Sequence, residues 1–120
     1  MKNLSRLGLA VATLALSVSV AQAHPKLLSA NPAAGAHVSA PAQVRLSFSE
    51  TLIGRFSHLS LADAAGHKAP LGPSSLSGDH KQLMAPLSAR LRPGLYRLSW
   101  RAVSTDTHRV QGAYAFTVTR

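Results

Sequence analysis

Between Gln43 and Ser49 apolar and polar residues alternate strictly. Val44, Leu46 and Phe48 fall on one side, and Gln43, Arg45, Ser47 and Ser49 on the other. A period of two is the mark of a strand with one buried face. The same pattern sets Tyr96, Leu98, Trp100 and Ala102 against Arg97, Ser99 and Arg101, and Tyr114, Phe116 and Val118 against Ala115, Thr117 and Thr119. A shorter version covers Ser57 to Leu61, with Leu59 and Leu61 inward. Lys81 to Leu87 is a weaker strand, whose Pro86 suits an edge or a strand end because proline cannot donate to a ladder. Turn chemistry separates these runs at Asn31-Pro32, Ala40-Pro41, Gly66, Gly72-Pro73, Ser77-Gly78-Asp79 and Arg92-Pro93-Gly94. No stretch after Ala23 holds a helical period for three turns. Short strands divided by turns predict one small all-β domain, an antiparallel sandwich.

The first 23 residues follow a different rule. Lys2 and Arg6 precede an apolar run from Leu7 to Ala21, and Ala21-Gln22-Ala23 fits the small-x-small cleavage pattern. This predicts a secretory signal peptide, since a run of ~15 apolar residues is short of the ~20 that cross a bilayer. No later segment could span a membrane. The expected mature chain, residues 24–120, is exported, is expected in the periplasm, and begins at His24.

The 120 residues hold no cysteine, two Met and six His, so a bound metal would rest on nitrogen and oxygen donors or on a thioether. A free N-terminal His24 would offer its α-amine and ring Nδ1 to one ion, while Pro25 lacks the amide proton whose loss lets His-x peptides seize copper. The alternative is that cleavage merely falls before a histidine. Asp106 and His108 stand at i and i+2 between the two clearest strands; in extended backbone they would point to one side, roughly 6–7 Å apart. The alternative is a turn-capping Asp beside a solvated His. Glu50 ends the strand Val44 to Ser49, where a solvated carboxylate is the plain reading. A Gly-x-Ser-x-Gly elbow and a phosphate-cradling glycine loop are both absent, and four carboxylates make a paired-acid glycosidase a poor fit.

Five segments, His24-Pro25-Lys26-Leu27, Asn31-Pro32-Ala33-Ala34-Gly35, Leu46-Ser47-Phe48-Ser49-Glu50, Pro93 to Trp100, and Val103-Ser104-Thr105-Asp106-Thr107-His108, together resemble the CopC family of periplasmic copper-resistance proteins. The likeness runs over essentially all of residues 24–120. It implies a seven- or eight-stranded Greek-key β-barrel or sandwich, immunoglobulin-like with a cupredoxin-like strand layout. It also implies a Cu(II) site on His24, Asp106 and His108 with Glu50 nearby. Such a nitrogen and oxygen set suits tetragonal Cu(II), with His24 bidentate, His108 the third nitrogen and Asp106 the oxygen. Glu50 would be an axial ligand or a hydrogen-bond partner of the amine or an imidazole.

Some family members carry a methionine-rich loop with a His that forms a second site, selective for Cu(I). His67 falls where that His would be, but Met84 is the only Met after Ala23. His67 is therefore expected to be a solvated turn residue and the protein to bind Cu(II) only. His37, His58 and His80 have no motif around them, and His37 is the one to check for closeness to the site.

Cleavage after Ala23 would leave eleven Lys and Arg against four acidic residues, with Arg90, Arg92, Arg97, Arg101, Arg109 and Arg120 in the last third. Export and the scarcity of aromatics argue against nucleic acid as partner. A solvated basic face is the expectation, ahead of one that docks on anionic lipid or an acidic partner. The resemblance adds an inner-membrane copper transporter of the CopD type as a partner. The expected function is a noncatalytic periplasmic Cu(II) carrier or sequestering protein. The alternatives are an oxidative copper enzyme of the histidine-brace kind and a structural sandwich with incidental histidines.

Overall fold

The structure is a computed structural model and describes residues 24–120, so the expected signal peptide lies outside the described residues. Its strands are β1 (Leu27–Asn31), β2 (His37–Val38), β3 (Gln43–Phe48), β4 (His58–Asp63), β5 (Ser75–Leu76), β6 (Gln82–Pro86), β7 (Gly94–Val103) and β8 (Arg109–Val118). A single 3-10 turn, Gly54–Phe56, precedes β4. No helix among the described residues is long and apolar enough to cross a membrane. One sheet runs β1-β3-β6-β5 and the other β2-β8-β7-β4. Neither closes on itself, so the architecture is a sandwich rather than a barrel. All pairings are antiparallel except that of β2 with β8.

The alternation in the sequence becomes the core. Val44, Leu46 and Phe48 of β3, with Leu83 and Ala85 of β6, face Tyr96, Leu98 and Ala102 of β7 and Phe116 and Val118 of β8, and all are buried. Each large side chain so placed contributes about 1.5–3 kcal/mol relative to exposure. Arg97 and Arg101 point outward as the pattern requires. Tyr96 also donates its hydroxyl to the Arg92 carbonyl at 2.7 Å. This link to a carbonyl four residues upstream is the tyrosine corner of immunoglobulin-like sandwiches. Tyr114 donates to the Pro32 carbonyl at 2.6 Å, and burial pushes its pKa up to about 12.

The structure adds what alternation could not show. Strands β1, β2 and β5 are short pieces at sheet edges, held by backbone pairing, with no period for a sequence pattern to register. The weak strand β6 is not an edge: it lies between β3 and β5, and Pro86 closes its ladder opposite Gln43. Strand β8 begins at Arg109, before the alternation becomes visible at Tyr114, because Gly112 interrupts the apolar face. Trp100 fills that gap from the opposite strand. A Cβ placed on Gly112 would overlap the indole at Cζ2 and lie 2.6 Å from Cη2. The indole also packs on Tyr114 at 5.9 Å.

Gly112→Ala is expected to push the indole out of its seat and cost about 1–3 kcal/mol. Urea unfolding should show a lower midpoint at unchanged slope, and emission from the single tryptophan should shift in the folded state.

Candidate metal centre

Two backbone segments converge at one end of the sandwich. The first carries His24. Pro25 is buried, the Lys26 amide donates to Ser49 Oγ at 2.8 Å, and the Ser49 amide donates to the Lys26 carbonyl at 2.9 Å. These contacts and the Leu27–Phe48 pairing of β1 with β3 fix the chain just after His24, whose own side chain stays exposed.

The second segment is the connection from β7 to β8. The long ladder ends at the pair Val103 and Arg109, leaving Ser104 to His108 to turn the chain. Ser104 is buried and organises that turn: its amide donates to the His108 carbonyl at 2.9 Å, its carbonyl accepts from Thr107, and its hydroxyl donates to Asp106 Oδ1. The turn is tied to the body of the protein by Thr105 N–H to the Thr51 carbonyl at 3.0 Å and Ile53 N–H to the Val103 carbonyl at 2.8 Å. Ser57, fully buried, accepts from the Val103 amide at 3.1 Å.

The extended geometry expected for Asp106 and His108 is not what forms. Asp106 sits in a turn, and Thr107 takes a left-handed backbone with φ of 71°. Such a conformation is costly for a β-branched residue. It folds Asp106 and His108 onto one another, so that His108 Nδ1 lies 2.9 Å from Asp106 Oδ2. That approach is close but is not aligned as a hydrogen bond, and Nδ1 is a buried atom with no hydrogen-bond partner. The His24 ring meets the His108 ring edge-on at 4.8 Å between centroids. The Asp106 carboxyl is held down to about 2, first by the Ser104 hydroxyl and then by the His108 imidazole.

Three of the four expected ligands are thus neighbours in pairs, His24 with His108 and His108 with Asp106. The fourth, Glu50, lies between Ser49, bound to the N-terminal arm, and Thr51, bound to the turn. It is partly buried and takes no part in the two close Asp–His contacts among the described residues. No group of three or more His, Asp or Glu side chains among those residues is already set to hold an ion.

Of the other histidines, His67 and His37 lie away from this end, while His58 lines a hollow together with Thr107 and His80 contacts Leu52, which bridges to Ser104. His67 is 82% exposed, in a turn whose Ala65 and His67 amides both donate to Asp63 Oδ1. His37 pairs with Thr117, at the far end of β8 from the turn. His80 is exposed, and its carbonyl accepts from the Leu52 amide. Sequence reasoning missed Ser49, Ser57 and Ser104, which position the two segments. Only the Ser-x-Asp spacing of Ser104 and Asp106 carried a signal, as a local side-chain turn.

The CopC domain family matches residues 27–119. Copper resistance protein C of Pseudomonas syringae pv. tomato is 39% identical over 106 residues, covering 83% of this chain and 84% of that protein. The crystal structure of PcoC, described as a methionine-rich copper resistance protein from Escherichia coli, superposes with a TM-score of 0.74 at 36% identity, covering 81% of this chain and all of the other. Copper transport protein CutJ of Bacillus subtilis is 29% identical over 98 residues, which span 80% of this chain but only 18% of that longer protein. The match over nearly every residue from β1 to β8, with the same sandwich beneath it, places this chain in the CopC family.

Proposed function

We propose that this chain, once cut after Ala23, is a periplasmic carrier or sequestering protein that holds one Cu(II) as cargo, through His24, Asp106 and His108. The observation that carries this reading is the convergence of one carboxylate and two imidazoles, with His108 Nδ1 2.9 Å from Asp106 Oδ2 and the His24 ring edge-on to that of His108. A bound cation would take this ring nitrogen and the carboxylate oxygen as ligands in place of their contact with each other. Two imidazoles, an amine and a carboxylate are borderline to hard donors that favour Cu(II) over softer ions. Asp106 is ionised throughout the neutral range, as a ligand must be. Glu50 is assigned the neighbouring position, as an axial ligand or as an acceptor for the His24 amine.

A separate Cu(I) site is not part of this reading. Met84 is the only methionine after Ala23, and one thioether plus one solvated imidazole, that of His67, is a poor soft site. Release to an inner-membrane transporter of the CopD type is supported by the likeness to one segment of the longer copper transport protein CutJ. The carrier reading is preferred to an oxidative copper enzyme because Asp106 stands at His108, where a carboxylate ligand would take a position that oxygen activation needs open.

His108→Ala and Asp106→Ala are each expected to weaken Cu(II) binding by about 100-fold or more, beyond the loss usual for groups that only support a ligand. Circular dichroism should remain that of the sandwich, and His67→Ala should leave affinity unchanged. Competition titration against a Cu(II) chelator checks all three; a large loss in His67→Ala with none in His108→Ala would contradict the assignment.

Acidification should release the metal through protonation of the nitrogen donors, because bound nitrogens must shed their protons. The Asp106 carboxyl stays charged until pH falls to about 2 and so does not set the release. Carboxyl carbon shifts of the metal-free protein should place its titration there. Removing the donor in Ser104→Ala should move it upward toward 3.8, with little change in the pH of copper release.

A further inference from the structure

The outer face of the β2-β8-β7-β4 sheet carries a hollow that the copper site does not use. It is about 220 Å3, floored by Val103, walled by Ile53 and Phe56, and rimmed by His58, Arg101, Thr107 and Arg109. A second hollow, of about 280 Å3, adjoins it and is lined by Arg101, Arg109, Val110 and Gln111. The two share both arginines, so together they form a groove across the ends of β7 and β8.

The charges in this groove are not balanced. Arg101 pairs with Gln111 and Arg109 with Val103, which sets the arginines on diagonal positions of one face, about 7–8 Å apart. Like charges so placed repel. Three of the four side-chain carboxylates are committed elsewhere, Asp63 to the 63–67 turn, Asp79 to the Ser77 hydroxyl and Lys81 amide, and Asp106 to Ser104 and His108, and Glu50 makes no ion pair with either arginine among the described residues. Neither arginine makes an ion pair among the described residues. Beside them Phe56 is 47% exposed, with the Arg55 guanidinium 4.8 Å over its ring. Two uncompensated guanidiniums around an apolar hollow that admits one bulky side chain are complementary to one kind of ligand, an apolar residue flanked by carboxylates.

We propose that this groove is the docking site for an acidic, extended segment of a partner protein, anchored by an apolar side chain between Ile53, Phe56 and Val103. The inference rests on the carrier reading for its purpose: Thr107, on the rim, is the residue between Asp106 and His108, so a partner seated here stands beside the copper turn. An inorganic anion would have no use for the apolar floor. A lipid surface, being flat, would not enter the hollow.

The test uses metal-free processed protein beginning at His24, which contains every strand, and nuclear magnetic resonance titration with a blocked Glu-Glu-Phe-Glu-Glu peptide. Amide shifts are expected at Ile53, Phe56, His58, Arg101, Val103, Thr107 and Arg109, weakening as salt is raised. Arg101→Glu combined with Arg109→Glu should lower affinity by about tenfold or more, and Phe56→Ser should lower it in a protein whose charge is unchanged. The charge-matched pair Arg90→Glu and Arg92→Glu should have little effect. The proposal is overturned if the Arg90 and Arg92 reversal weakens binding equally, or if a peptide with Ser for Phe binds as well. It is also overturned if phosphatidylglycerol vesicles shift these amides where the peptide does not, which would make the face a membrane surface. Because no metal is present, these outcomes are independent of the carrier reading, which fails separately if the processed wild-type protein does not hold Cu(II).

Discussion

The antiparallel ladder of β7 and β8 fixes the position of everything that bears on function. Its ten pairs hold Tyr96, Leu98 and Ala102 against Phe116 and Val118 on the inner face, and Arg97, Arg101 and Arg109 on the outer one. A slip of one residue would exchange the two faces, burying guanidiniums and exposing the core, so the register admits no near alternative. Trp100 over Gly112 locks it further, since that indole fits against only a residue without a side chain. With the register fixed, the ladder must stop at Val103 and Arg109, and the five residues between them have one end of the sandwich to occupy. Ser104 and Ser57, both buried, then determine how that turn lies.

Much of this is legible in the amino-acid sequence. Strands β3, β7 and the second half of β8 have one face in the core and one in water, and alternation reports that partition directly. Strands β1, β2 and β5 each send only one or two apolar residues against the core, Leu27 and Ala30, Val38, and Leu76, too few to make an alternating run. The first half of β8 is hidden because its apolar face is supplied by Trp100 of the neighbouring strand. In the site, residue types and order point to Asp106 and His108, but the extended geometry inferred for them does not form. Thr107 in a left-handed conformation is a consequence of the Ser104 hydrogen bonds, which join residues through the folded turn and leave no periodic trace.

The same end of the sandwich presents two surfaces of opposite character. On one side of the turn the His24 ring meets that of His108 and His108 meets Asp106, whose carboxylate is kept ionised by Ser104 and His108, and these are the donors proposed for the cation. Outside it, Arg101 and Arg109 repel cations and attract acidic groups. Thr107 belongs to both. For the proposed carrier, adjacency of the donor cluster and a basic groove is economical, because contact with the partner and contact with the ion would pass through one short turn.

The requirement for a free His24 amine is the most exposed part of this picture, because one covalent bond decides it. Electron paramagnetic resonance of Cu(II), with competition titration, should be compared for protein starting at His24 and for the same protein with one alanine before it. A tight, tetragonal, nitrogen-rich signal in the first that is lost or altered in the second is the expected result. Identical spectra and affinities would remove the amine from the site and contradict the assignment of His24 as a chelating ligand.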